Sequence, residues 1–249
     1  MDLQLERSVA LVTGAGGGIG GAIAVALARE GCDVALLDAV HDAALDAVAA
    51  AVAGCGVHAL ALQADVRDFT AAAEAVARVV DQLGGLDILV CSAGITRDAV
   101  SWRLSESDWD DVLDVNLKGC FSYARAVAPV LRARGGGRVV LIGSINGLRG
   151  KFGQAGYAAA KAGLVGLGKT LARELGRYGV TVNIVAPGLV RTAMTRALPP
   201  EALAAAQEEA VLGGLTEPEA VADTVAFLCS ARAGRITGEV IRVDAGQYI

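Results

Sequence analysis

The chain has 249 residues and a formal net charge of −5, enough length for one large α/β domain whose core needs no disulfide staples. The acidic balance and the lack of any basic run argue against a nucleic-acid partner. Ala, Val, Leu and Gly dominate, yet no apolar run reaches the roughly 18–20 residues of a spanning helix.

Residues 1–7 are charged and lack a signal-peptide pattern, so a cytoplasmic location is expected. Cys32, Cys55, Cys91, Cys120 and Cys229 are scattered, odd in number and never in a CxxC pair, which suits reduced thiols better than disulfides. His41 and His58 have no ligand-like neighbours, so no metal site is expected.

In chain order, a β-rich run at 9–12 leads through glycines into an apolar-periodic helix at 19–30. A strand at 33–37 precedes an Ala-rich helix at 42–53, and a strand at 57–63 precedes a helix at 68–83. Strands at 88–91, 138–142, 181–185 and 240–243 complete seven, with helices at 108–134, 156–178 and 218–230 between them. Residues 189–214 break the rhythm and read as a helical flap beside the substrate site. Thr216-Glu217-Pro218-Glu219 has capping-box spacing, and Ser105 to Asp108 offers a looser helix start. Apolar strands alternating with helices predict an α/β fold: a doubly wound, parallel, seven-stranded sheet of Rossmann type, in one domain over 1–249.

Thr13-Gly14-Ala15-Gly16-Gly17-Gly18-Ile19-Gly20 follows the first strand and opens the first helix. Glycines there allow a tight turn and close approach to a pyrophosphate, and the helix start offers free N–H groups and a positive dipole end. Gly16, Gly18 and Gly21 fit G-x-G-x-x-G; Gly14, Gly18 and Gly20 fit T-G-x-x-x-G-x-G, the preferred register because it begins at the strand end. Asp38 closes the second strand 20 residues after Gly18. A carboxylate there accepts hydrogen bonds from adenosine ribose hydroxyls and repels a 2′-phosphate. Gly17 and Ala39 supply no compensating cation, so NAD(H) is expected over NADP(H).

Tyr157-Ala-Ala-Ala-Lys161 places a phenol and an ammonium at i and i+4, on one helix face. Free tyrosine titrates near 10, too high for a base near neutrality. An adjacent ammonium and an oxidised nicotinamide would favour the phenolate. Tyr157 would then exchange a proton with the substrate oxygen, and Ser144, 13 residues upstream, would hydrogen-bond the same oxygen.

With the glycine turn and Asn116 in Asp114-Val-Asn-Leu, these motifs resemble the short-chain dehydrogenases/reductases along essentially the whole chain. Within that family Ala93-Gly-Ile-Thr-Arg-Asp98, the Gly153–Gly163 segment and Ala186-Pro-Gly188 are similar to 3-oxoacyl-(acyl-carrier-protein) and acetoacetyl-CoA reductases. The resemblance implies catalytic Asn116, Ser144, Tyr157 and Lys161, with Lys161 also on the nicotinamide ribose and Asn116 positioning a relay water. It implies cofactor contacts from Gly14, Gly17, Gly18, Ile19 and Asp38, from Asp65 and Val66 at the adenine, from Cys91, Ala93 and Gly94, and from Pro187, Gly188, Val190 and Thr192 at the nicotinamide. Ser144, Asn146, Gln154 and Tyr157 would meet substrate, with Phe152, Leu189 and the flap lining its pocket. Cys91-Ser92-Ala93-Gly94 departs from the family's Asn-Asn-Ala-Gly and puts the side-chain bracing of the next strand in question.

The expected activity is hydride transfer between a nicotinamide cofactor and a ketone or secondary alcohol, with a 3-oxoacyl thioester as the leading substrate. An NAD-dependent dehydrogenase of a steroid, sugar or polyketide hydroxyl is the alternative, and a non-catalytic dinucleotide sensor ranks below both. Carrier-docking reductases tend to carry basic residues near the fifth helix end; Arg132, Arg134, Arg138 and Arg177 remain here, interrupted by Gly135–Gly137 and Tyr178. A homotetramer is expected from family likeness and from Ala124, Val127, Ala158, Leu164, Leu167 and Leu171, read as apolar positions beyond what one sheet covers.

Overall fold

The structure, a computed structural model, describes residues 2–196 and 198–249, the side chains of 194 and 196 excepted. Met1 of the expected domain and Ala197 of the expected flap lie outside the described residues.

Seven strands, β1 Val9–Thr13, β2 Asp33–Asp38, β3 Ala59–Gln63, β4 Ile88–Cys91, β5 Gly137–Ile142, β6 Val180–Pro187 and β7 Val240–Val243, form one sheet in the order β3-β2-β1-β4-β5-β6-β7. Every pairing is parallel. The expected strand at 57–63 begins later, at Ala59, because the preceding turn runs through Gly56 at φ +83°.

Alternation along the strands feeds two cores. Leu11, Ala35, Leu89, Leu141 and Ile184 pack on one face, under helices α3 Phe69–Leu83, α5 Gly119–Arg134 and α7 Ala155–Leu175. Val12, Leu36, Val90 and Val185 pack on the other, under α1 Gly18–Arg29, α2 Ala43–Ala53 and α10 Pro218–Cys229. Fully burying one such aliphatic side chain contributes roughly 1.5–3 kcal/mol. Ala124, Val127, Leu164 and Leu171 belong to the first core and are buried within the single chain. They face the sheet, so the expectation that they mark a subunit interface is corrected.

The helix expected at 108–134 is divided. α4 Glu106–Leu113 and α5 are joined by a π-helical turn, Asp114–Lys118. Asn116 donates from Nδ2 to the Val112 carbonyl, four residues back, and to the Ile95 carbonyl, both at 2.9 Å. A side chain that takes the i−4 acceptor competes with the backbone ladder, and such widened turns collect at functional sites. Ser105 caps α4 as expected, accepting from the Asp108 N–H at 3.1 Å.

The Thr216 capping box does not form. The N-cap of α10 is Glu217, without a side-chain cap bond, and the Thr216 hydroxyl is buried without a partner. Tertiary pairing overrides the local signal: Thr216 N donates to Leu189 O, and Arg191 N donates to Thr216 O. The flap contains α8 Ala193–Arg196 and α9 Pro200–Glu209, with α6 Asn146–Arg149 facing it across the cleft.

Candidate active site

Ligands of open parallel sheets lie at the strands' carboxyl ends, where strand order reverses. Here that point is between β1 and β4. Gly14 turns there at φ +68°, and a Cβ on it would sit 2.6 Å from Ala93 Cα, so the two strand ends touch. A Cβ on Gly20 would meet Gly14 O at 2.1 Å, and one on Gly18 would meet Thr192 Cγ2 at 2.8 Å. These contacts support the Gly14-Gly18-Gly20 register. Gly21 instead allows α1 to pack on Val48 of α2.

Gly17 is the N-cap of α1 and no side chain caps that helix. Its first-turn N–H groups therefore suit a phosphate. Asp38 Oδ2 accepts from Gly16 N at 2.9 Å, and Oδ1 accepts from Ala39 N at 2.8 Å. Gly16, read from the sequence only as part of the glycine turn, also holds Asp38 through a backbone bond to a residue distant in sequence. Arg67 reaches Asp65 at 2.7 Å and Asp111 at 3.0 Å. Its guanidinium hydrogen bond holds the Asp65 carboxyl below the usual carboxylate range.

β5 delivers Ile142, Gly143 and Ser144 to the same edge, and α7 delivers Tyr157 and Lys161. Lys161 is 4% exposed, and its ammonium donates to the Ile142 carbonyl at 2.8 Å while lying 5.6 Å from the Tyr157 ring centroid. Asn116 is fully buried just behind, its Oδ1 without a partner. A Cβ on Gly94 would be 2.7 Å from that oxygen and 3.5 Å from Lys161 Nζ. Only glycine lets the chain pass between the amide and the ammonium.

One cleft of about 960 Å³ gathers these elements. It is lined by Gly14, Gly17, Gly18, Ile19, Asp38, Asp65, Val66, Ala93, Gly94, Ser144, Asn146, Gln154, Tyr157, Lys161, Pro187, Gly188, Val190 and Thr192, all expected from the sequence. Three expectations differ. Cys91 does not line it: strand alternation turns its thiol into the core, toward the Cys120 carbonyl at 3.9 Å. Its thiol titrates well above the ordinary range, through its contact with Cys120 and through burial. Asn116 stands behind the wall rather than in it. Phe152 is 86% exposed and also outside the lining.

The end of β4 is tied to β1 by Thr13, whose hydroxyl accepts from Ser92 N at 3.2 Å and Ala93 N at 3.3 Å. Arg149, Asp98 and Gln247 also line the cleft and were missed. Arg149 and Gln247 sit in no motif, Asp98 ends the Ala93–Asp98 motif with no role assigned to it, and only the tertiary fold brings the three together.

The family model described as Enoyl-(Acyl carrier protein) reductase matches residues 14–247. The chain is 43% identical to a 3-oxoacyl-(acyl-carrier-protein) reductase FabG of Staphylococcus epidermidis over 96% of this chain and 98% of that one. It is 40% identical to the Escherichia coli protein of the same name, over 99% and 100%. A (3R)-3-hydroxyacyl-CoA dehydrogenase of Canis lupus familiaris is 43% identical over 99% and 98%. A solved Sinorhizobium meliloti 1021 chain, described as a short-chain alcohol dehydrogenase, superposes with TM-score 0.95 at 35% identity, covering 99% of this chain and 98% of that one. The chain belongs to the short-chain dehydrogenase/reductase family and is a nicotinamide-dependent oxidoreductase.

The residues present fit a nicotinamide dinucleotide: uncapped N–H groups at α1, a glycine turn with no room for a Cβ, and a carboxylate at the β2 end. Gly20→Ala should drive a methyl into Gly14 O and displace the turn. Dinucleotide affinity, measured by fluorescence titration, is expected to fall about tenfold or more, the equivalent of about 1.4 kcal/mol; an unchanged Kd would show that the turn tolerates the shift.

Proposed function

We propose that the protein interconverts 3-oxoacyl and 3-hydroxyacyl thioesters, with NAD(H) preferred over NADP(H). The observation that carries the substrate reading is the Ser144–Tyr157–Lys161 corner opening onto a cleft that is polar at Asn146 and Gln154, in a chain over 40% identical to relatives named for 3-oxoacyl and 3-hydroxyacyl thioesters.

A nicotinamide held in the cleft would supply or take the hydride. Tyr157 donates its phenolic proton to the ketone oxygen in reduction and recovers it in oxidation. Ser144 hydrogen-bonds that oxygen and fixes the carbonyl's orientation. Lys161, anchored on the Ile142 carbonyl, sets its positive charge beside the Tyr157 ring and would hold the nicotinamide ribose. A buried ammonium is tolerated only with such partners. The unpartnered Asn116 Oδ1 suits a water on the path from Lys161 outward.

Asp38 is the observation for cofactor choice. Its two backbone hydrogen bonds hold the carboxylate at the cleft, where it accepts from a ribose hydroxyl and repels a 2′-phosphate. Arg67, the nearby cation, is engaged by Asp65 and Asp111. The same residue favours the second reading, an NAD-dependent dehydrogenase of another secondary alcohol. Of the arginines considered for carrier docking, Arg134 is tied to Asp87 at 2.6 Å and Arg138 to the Ser230 carbonyl. Arg132 and Arg177 flank the Tyr178 ring.

The cytoplasmic location and the homotetramer belong to this proposal. Among the described residues no helix is long and apolar enough to cross a membrane. A surface groove lined by Leu113, Leu117, Phe121, Gly163 and Leu167 offers the subunit face.

Three outcomes are expected. Tyr157→Phe should keep cofactor affinity while kcat falls on the order of 10²-fold or more; near-normal kcat would overturn the acid–base role. Wild-type kcat/KM should favour NAD(H) by at least about tenfold, equivalent to about 1.4 kcal/mol, and Asp38→Ala should narrow the gap. Equal or better use of NADP(H) by the wild type would refute the cofactor reading. Light scattering should give a tetramer at micromolar concentration, and a monomer there would reject the assembly.

A further inference from the structure

Beside Ser144 runs a chain of four side chains whose ends carry opposite charge. Gln154 donates from Nε2 to Asp98 Oδ2 at 3.0 Å. Asn146 donates from Nδ2 to Gln154 Oε1 at 3.0 Å. Arg149 donates from Nε to Asn146 Oδ1 at 3.2 Å. All four residues line the cleft, and Asn146 N donates to Ser144 Oγ at 3.1 Å, tying the chain to the catalytic corner.

The direction of this chain is dictated by its ends. An ionised carboxylate only accepts and a guanidinium only donates. With an acceptor at one end and a donor at the other, only one orientation of the two amides satisfies every link. Inverting either amide would set N–H against N–H or oxygen against oxygen. Arg149 is itself held by Gln247 O at 3.0 Å and by Glu209 Oε2 at 3.0 Å, so it spans α6, the flap and the C-terminal segment.

Each amide spends one N–H within the chain and keeps one. A spare N–H demands an acceptor more strongly than a spare carbonyl lone pair demands a donor. We propose that Asp98 and Arg149 are positioning residues that lock the Asn146 and Gln154 amides with their spare N–H groups available to a second carbonyl of the substrate. This rests on the thioester reading above: a 3-oxoacyl thioester has two carbonyls, one for Ser144 and Tyr157 and one for these amides. A simple ketone has only the first. Selectivity for the dicarbonyl class thus depends on two charged residues that act through the amides.

The test compares the N-acetylcysteamine thioester of acetoacetate with a monoketone of similar length, on wild type, Asp98→Asn, Arg149→Met and Asp98→Glu, with cofactor Kd measured for each. Asp98→Asn preserves volume but replaces the obligate acceptor with an amide, which leaves Arg149 alone to orient Asn146 and Gln154. Both Asp98→Asn and Arg149→Met should lower the thioester-to-monoketone ratio of kcat/KM by about fivefold or more, mainly through thioester KM, with cofactor Kd unmoved. Asp98→Glu should recover much of the ratio. A ratio unchanged in both variants, or a cofactor Kd that weakens in step with KM, would overturn the inference. A wild type that reduces the monoketone but not the thioester would instead sink the substrate reading. The chain is then read directly by NMR of ¹⁵N-labelled side-chain amides. Asp98→Asn should shift the Asn146 amide signals, although Asn146 is linked to residue 98 only through Gln154, and unshifted signals would refute the lock.

Discussion

Everything at this site depends on how closely two strand ends approach. β1 and β4 are neighbours, yet the chain leaving β1 turns into α1 on one face of the sheet while the chain leaving β4 heads for the other. The crevice between them is where a dinucleotide fits, and its floor is the contact of Gly14 with Ala93. A side chain at Gly14 would collide with backbone at 2.6 Å, and one at Gly20 would collide with the Gly14 carbonyl at 2.1 Å. Steric exclusion, more than flexibility, explains these glycines. The same close fit aims the uncapped start of α1 into the crevice and leaves Thr13 beside the β4 end, where its hydroxyl braces Ser92 and Ala93.

A second constraint is a buried charge. Lys161 has almost no access to water, and an ammonium in that position needs strong acceptors. The Ile142 carbonyl at the end of β5 is one. The strand therefore fixes where the ammonium stands, and α7 fixes Tyr157 one turn earlier. The π-helical turn carries Asn116 to the back of the same corner. Its Nδ2 is spent on Ile95 and Val112, which orients Oδ1 toward the gap between Gly94 and Lys161. Local departure from α-helical geometry is thus tied to the position of one polar atom.

Most of this was legible in the sequence because it is local. Strand and helix positions follow from hydrophobic period, and the glycine turn, Asp38, Ser144, Tyr157 and Lys161 follow from spacing within one or two elements. What escaped is tertiary. The Asp108–Arg134 stretch reads as one helix, since nothing nearby reveals that Asn116 takes a backbone carbonyl. Thr216 has the spacing of a cap but is held by pairing with Leu189 and Arg191. Cys91 sits in the right motif but on the wrong face of its strand. Ala124, Val127, Leu164 and Leu171 read from the sequence as surplus to one sheet, and the single chain buries them all. Arg149 belongs to no motif and Asp98 only ends one, and their proposed roles arise only when the β4–α4 loop, α6 and the flap converge.

The backbone bonds to Asp38 bear on how its charge discriminates. A free carboxylate at a strand end could rotate away from an approaching phosphate and lose much of its effect in water, where screening is strong. Here one oxygen is held by Gly16 N and the other by Ala39 N, so rotation would break two hydrogen bonds. Each oxygen still has a lone-pair site free, enough to accept from a ribose hydroxyl without rearrangement. On the proposed cofactor reading, the group is ready for a ribose hydroxyl and unable to retreat from a 2′-phosphate. Gly16 would link the two ends of the proposed adenosine site: the glycine turn that would cradle a pyrophosphate also supplies the N–H that holds the Asp38 carboxylate. In that proposal pyrophosphate binding and discrimination at the 2′-position are coupled through one hydrogen bond, Gly16 N to Asp38 Oδ2.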